Sequence, residues 1–211
     1  MNLHVSRWPG GFVGGALCLD FVNTVEYRTP HVCHDRLADY DMILHWCAAR
    51  KSLPDRAIAR LGQHARREPE GAASAWRNCL GLREELRELV AGLRGAEASS
   101  SVAAALNARV ATLPPLARLR ALADGSRFAF DLPGEDLAEP AWPIIWSAAA
   151  LLTSDQLARL AQCQASPCRH LFIDWSRNGT RQWCDDRCGN RARVRRHKER
   201  LERHGPRKGA R

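Results

Sequence analysis

The stretch RQWCDDRCGNRARVRRHKER, residues 181–200, begins with two cysteines and ends in a dense run of arginines. Cys184 and Cys188 are four residues apart, so on a helix both face the same way. Asp185 or Asp186 can cap that helix, and its positive end favours thiolate over thiol. Cys163 and Cys168 lie upstream, giving the pattern C-x4-C-x15-C-x3-C. Two close pairs separated by roughly fifteen residues is the spacing of a four-cysteine zinc site, each pair supplying one edge of a tetrahedron. Four thiolates leave no open coordination position, so the pattern predicts one structural Zn2+ held by Cys163, Cys168, Cys184 and Cys188.

Two disulfides are the competing use of these cysteines, and they need an oxidising compartment. The chain opens without a basic segment followed by an apolar core and a small-residue cleavage site. Its most apolar run, AWPIIWSAAALL at residues 141–152, is too short to span a bilayer. The expectation is a cytoplasmic protein with reduced thiols and no membrane partner. Energetics favour the metal as well. A module of about 45 residues with few large apolar side chains rarely folds without a staple, and zinc contributes on the order of 10 kcal/mol in finger peptides.

Between the two pairs, LFIDWSRNGTRQW alternates apolar and polar residues and carries Asn178-Gly179, a tight-turn dipeptide. The alternation predicts a hairpin of residues 171–175 and 180–183, followed by a helix over 186–204. On that helix Asn190, Val194, His197 and Leu201 share a narrow face expected to lie on the hairpin. Arg193, Arg196, Arg200 and Arg203 are expected on the opposite face. Knuckle, hairpin and helix-borne cysteines make a treble-clef-like finger. Arginine forks match phosphate oxygens and the guanine edge in the major groove, so these four, with Arg177, Arg181 and Arg191 around the hairpin, are the candidate nucleic-acid contacts.

Charge is distributed to suit that reading. The formal net charge is +9, and residues 163–211 hold 14 Lys+Arg against 5 Asp+Glu, leaving 18 of each in the remainder of the chain. A neutral body with one basic end suggests a polyanion partner, the bland alternative being a solvated tail. With 211 residues, 45% hydrophobic and 26% charged, the chain is globular and long enough for one domain plus a small module.

The upstream part reads as mainly α with a small β-hairpin. Leu37, Tyr40, Ile43, Leu44 and Cys47 have helical spacing, as do Leu82, Leu86, Leu89, Val90 and Leu93. Phe128, Phe130 and Leu132 alternate after the Asp124-Gly125 turn signal, which predicts the hairpin. AWPIIWSAAALLT and SDQLARLAQC read as two further helical pieces. The expected division is a mostly helical regulatory domain over 1–157, the zinc finger over 158–205 and a basic flexible tail over 206–211. Asp20, Asn23, Thr24 and Arg28 group polar chemistry beside apolar residues and are candidates for a small-molecule pocket. His31, Cys33, His34, His45 and Cys47 fit no common metal spacing. No nucleophile–base pair, phosphate loop or paired-carboxylate motif stands out, so no enzyme is expected.

CQASPCRHLFIDWSRNGTRQWCDDRCGNRARVRRHKER resembles the CGNR zinc finger, named for Cys188-Gly189-Asn190-Arg191. The matching positions are the four cysteines, Phe172, Asp174, Ser176-Arg177-Asn178, Arg181, Trp183 and the tetrad; Gln182 departs where a second arginine is common. Upstream, LDFVNT (19–24), Arg28, DRLADYDMILHW (35–46) and LREEL (82–86) are similar to the ABATE domain, described as a stress-induced transcription regulator. The resemblance implies a DNA-binding transcription regulator with an N-terminal ligand- or stress-sensing domain. A homodimer placing two fingers on a two-fold site is compatible with it. Two other readings stand beside it: an RNA- or ribosome-associated zinc protein, and a protein-docking adaptor that uses the basic helix.

Overall fold

The first helix forms where the glycines of GGFVGG give way to LCLDFV. Gly14 must be glycine because a Cβ there would lie 2.7 Å from the Leu19 Cβ. Gly15 has φ +82°, and a Cβ on it would meet the Trp175 indole nitrogen at 3.0 Å. The two let the chain turn tightly into α1 (Leu17–Val22), whose residues from Cys18 to Val22 are buried.

The computed structural model describes residues 8–9, 11–27, 33–93, 100–114, 118–121, 128–131 and 136–203. After α1 come β1 (Val25–Tyr27) and β2 (Cys33–Asp35), paired antiparallel with Val25 opposite Asp35. Next are α2 (Tyr40–Arg50), α3 (Asp55–Arg67), the long α4 (Pro69–Gly92) and α5 (Ser100–Val110). Asp39 caps α2 by accepting the Met42 N–H at 2.8 Å. β3 (Arg118–Ala121) and β4 (Phe128–Asp131) form the expected hairpin; Asp124-Gly125 and Leu132 lie outside the described residues. A 3-10 turn (Glu139–Ala141) leads into α6 (Trp142–Leu152), and a second (Asp155–Arg159) into β5 (Leu160–Gln162). β6 (Leu171–Ile173) and α7 (Asp186–Arg203) complete the described chain. Among the described residues no helix is long and apolar enough to cross a membrane.

α1 is the hub, packing against α4, α6 and β6. Leu19, Phe21 and Val22 are fully buried there, with the Phe21 and Trp46 rings 5.3 Å apart. Leu37, Tyr40, Ile43, Leu44 and Cys47 line the core as their spacing predicted, as do Leu82, Leu86, Val90 and Leu93, with Leu89 packed beside them. Buried charges are paired. The Arg83 guanidinium, 3% exposed, forks onto both oxygens of Asp35 at 2.7 and 2.6 Å and also donates to Thr24 Oγ1.

Two expectations give way here. SDQLARLAQC is not helical throughout, because Leu160–Gln162 pairs antiparallel with β6: Leu160 faces Ile173, Ala161 faces Phe172 and Gln162 faces Leu171. β6 is therefore not the first strand of a hairpin with residues 180–183; its partner lies before Cys163. β6 also belongs to two cores at once. Leu171 and Ile173 are buried in the main core, while Phe172, alternating to the other side, is buried among Cys163, Cys184, Cys188 and Ala192.

Candidate zinc centre and basic helix

The β5–β6 pairing builds half of the metal site. Cys163 follows β5 directly, and its N–H donates to the His170 carbonyl at 2.9 Å, closing a knuckle that carries Cys168. Asp185 builds the other half. Its carboxylate accepts the Cys188 N–H at 2.9 Å, capping α7 so that Cys184 and Cys188 flank the first turn. The four Sγ atoms all lie within 4.8 Å of one another, with Cys168–Cys184 at 3.8 Å and Cys184–Cys188 at 3.6 Å. A zinc tetrahedron with Zn–S near 2.3 Å has S···S edges of about 3.8 Å, so the set fits the ion.

The charge chemistry agrees. S–H donation from Cys168 and Cys184 holds the Cys163 thiol far below its ordinary value. Cys168 is pushed up to about 12 by the same contact with Cys163, and Cys184 is pushed up by Cys163 and Cys168. Four thiols this close oppose one another's ionisation, and a dication at their centre removes the conflict. Arg191 donates to Cys188 Sγ at 2.9 Å and offsets the excess negative charge of four thiolates on one Zn2+. The four cysteines are a structural zinc site, and among the described residues no other group of His, Cys, Asp and Glu is placed to hold a metal.

Asp174 organises the segment between the strand and the helix. Buried, it accepts the Ser176 N–H on one oxygen and the Arg181 N–H on the other, both at 2.8 Å. Gly179, with φ +63°, completes the turn that the Asn-Gly pair predicted. Arg159 braces it by donating to the Asp174 and Ser176 carbonyls at 3.1 Å. Arg181 faces inward: its guanidinium lies 4.7 Å from the Phe172 ring centre and donates to the Trp183 and Cys184 carbonyls. Those bonds make Arg181 part of the frame, and Arg177 stands exposed on the turn.

The rotation of α7 differs from the expected one. Cys188, Gly189 and Ala192 are its buried residues, and Trp183 lies against Gly189, where a Cβ would sit 3.4 Å from the ring. The face of Asn190, Val194, His197 and Leu201 therefore points outward, with Val194 56% and Leu201 58% exposed. At roughly 100° per residue, Arg193, Arg196, Arg200 and Arg203 run along one flank, not opposite the packed side. Arg196 accordingly sits 5.6 Å over the Trp183 ring. Arg187, Arg191 and Lys198, two of them outside the expected arginine set, occupy the other flank. From Arg193 to Arg203 every residue is exposed, so this half of the helix projects from the body.

Three of the four N-terminal candidates make contacts within the fold. Asp20 accepts the Gly14 N–H and the Arg50 Nε–H, each at 2.8 Å. Asn23 pairs with the backbone of Leu171 in both directions: Nδ2 donates to its carbonyl at 2.7 Å, and Oδ1 accepts its N–H at 2.9 Å. Thr24 is fully buried beneath Arg83, and Arg28 lies outside the described residues. Asp20 and Asn23 do border a cleft of about 100 Å³ that they share with Arg36, His170 and three of the zinc ligands. The sequence offers Asp185 as a cap and Asp174 as a position matching the CGNR finger, but carries no signal for the bracing role of Arg159 or for the partnership of Asn23 with Leu171.

Two family models match the chain. Residues 15–155 match ABATE, described as "Putative stress-induced transcription regulator", and residues 159–201 match the CGNR zinc finger. No curated protein matches it. Since the first model alone spans most of the sequence, and the four-cysteine centre falls inside the second, the chain belongs to the ABATE family and carries a CGNR zinc finger.

Proposed function

We propose that this protein is a zinc-dependent transcription regulator that binds duplex DNA with α7, under the control of its N-terminal domain. One observation carries the reading. The projecting half of α7, residues 193–203, holds six basic residues against two acidic ones, all exposed. It is about 16 Å long and as wide as the major groove accepts. So many like charges on one projecting helix repel one another, and a polyanion relieves that repulsion. The zinc tetrahedron fixes the base of the helix, so the charges are aimed rather than loose. On the regulatory side, the cleft bordered by Asp20 and Asn23 is where a small polar effector would touch both halves. The role is binding, not catalysis.

The test is a titration of zinc-loaded protein against a labelled duplex at several salt concentrations. Each phosphate contact contributes about 0.9 to the slope of log affinity against log salt. Arg193→Ala with Arg200→Ala is expected to weaken binding and lower that slope by about 2, with zinc content still one per chain. Equal affinity and slope in the variant would reject α7 as the contact. Trp175, 57% exposed beside Arg177, favours a second reading in which an unpaired RNA base stacks on the indole. Tighter binding to single-stranded RNA than to duplex DNA, with quenching of Trp175, would select it.

A further inference from the structure

The outward face of α7 joins two features that a merely solvated basic helix does not need. It carries two aliphatic side chains more than half exposed, Val194 at 56% and Leu201 at 58%. Basic residues flank this strip on both sides, Arg193 and Arg200 on one and Lys198 on the other. The rotation is not free to change, since Cys188 must face the metal and Ala192 and Gly189 follow it inward. The strip is therefore held opposite the finger body.

Resting on the DNA reading above, we propose that Val194, His197 and Leu201 are the base-reading residues of α7. In this arrangement Val194 and Leu201 each pack on the C5-methyl of a thymine, while the flanking cations grip the two phosphate strands. The thymine methyl is the apolar group that the major groove displays, so it is the matching partner for an aliphatic side chain aimed into the groove. Val194, His197 and Leu201 span two helical turns. In helices that enter the major groove, a span of that size covers about three successive base pairs. The preferred site should then carry thymine at two positions one base pair apart, with His197 over the pair between them. Charge decides against the main alternative, a second copy of α7 packed on this strip. Two copies would bring Arg193, Lys198 and Arg200 of each against the same residues of the other, whereas DNA neutralises them.

The experiment is selection of zinc-loaded full-length protein on a random duplex library, followed by titration of the enriched site with uracil in place of each thymine. Val194→Ala and Leu201→Ala are both exposed substitutions, so folding is checked by circular dichroism and zinc content. The expected result is a motif with two thymines flanking one pair. Val194→Ala should relax one of them and Leu201→Ala the other, and each uracil should weaken binding about fourfold, the worth of one buried methyl. A selective motif indifferent to both variants, or sites that bind equally with thymine and uracil, overturns this inference and leaves the DNA reading standing. Failure to retain any duplex beyond the Arg193→Ala/Arg200→Ala control overturns the DNA reading, and this inference with it.

Discussion

Asn23→Ala is the substitution that separates a joint from a ligand-binding group. The Asn23 amide satisfies the N–H and the carbonyl of Leu171, at 2.9 and 2.7 Å, across 148 residues of chain. Leu171 is 1% exposed, so once the amide is gone its N–H and carbonyl keep no protein partner on that side and only water from the cleft can replace it. A buried backbone group left without a partner costs about 1–3 kcal/mol, and two are orphaned, so the expected loss is about 2–6 kcal/mol. Asn23→Asp keeps an acceptor for the N–H but turns a carboxylate oxygen toward the Leu171 carbonyl, so it should destabilise as well. Urea unfolding of the zinc-loaded protein measures the loss. Transfer of zinc to a chelator provides an independent readout, because β6 connects the knuckle to the rest of the site and its loosening should speed release. Arg177→Ala, exposed on the turn, is the control and should change stability by no more than about 0.5 kcal/mol. An Asn23→Ala protein within that same margin, releasing zinc at the parent rate, would refute the assignment. If Asn23 served only to hold a small molecule, its truncation would leave stability nearly untouched.

Arg83→Met removes the forked partner of Asp35 and should cost about 1.5–3 kcal/mol in thermal or urea unfolding, since the Asp35 carboxylate left behind is 36% exposed and water screens it. The same pair predicts a pH dependence. Burial pushes the Asp35 carboxyl up, but the Arg83 fork and the Leu37 N–H outweigh it and hold it below its ordinary value. Its contribution is then fully present above the unfolded carboxyl value of about 4 and is lost as pH falls through the lower folded value. Stability followed from pH 7 to pH 3 should show this loss, and Arg83→Met should flatten it. Cys184→Ser should reduce zinc content to near zero and weaken the duplex binding proposed for α7, leaving only the non-specific, salt-sensitive part that the arginine charges retain, as read by metal analysis and the titration described above.

The metal was legible because a tetrahedron of thiolates demands paired cysteines, and spacing is written directly in a sequence. The rotation of α7 differs from the one its apolar strip predicts, for a reason that magnitudes explain. Burying Val194 and Leu201 on a hairpin would yield about 1.5–3 kcal/mol each, whereas zinc coordination is worth on the order of 10 kcal/mol and fixes where Cys188 points. The stronger constraint sets the helix phase, and the apolar strip is left facing outward. The partner of β6 was misassigned because Asn178-Gly179 signals a turn but not a ladder. Asp174 closes that turn through Ser176 and Arg181, leaving the strand edge to Leu160–Gln162. The long helices of the N-terminal half were readable from periodicity. Asn23 stands out in the sequence only as a polar residue beside apolar ones; its partner is a backbone 148 residues away, and no local pattern encodes that.

β6 makes the two halves one mechanical object. Leu171 and Ile173 are fixed in the N-terminal core, and Phe172, on the same three-residue strand, lies against the cysteine cluster. The Ile173 N–H donates to the Gly14 carbonyl just before α1, and Gly15 allows Trp175 its close approach. A shift of α1 therefore cannot be absorbed by a linker; it moves the strand between Cys168 and the turn that leads to Cys184. The coupling runs both ways. Loss of zinc frees the knuckle and the base of α7, leaving Leu171 and Ile173 held only from the N-terminal side. The upstream helices of Cys184→Ser should accordingly stay folded but melt at lower temperature than in the parent. An unchanged melting temperature for those helices would mean that β6 is anchored by α1 alone, and a shift of α1 would then have no route through this strand to α7.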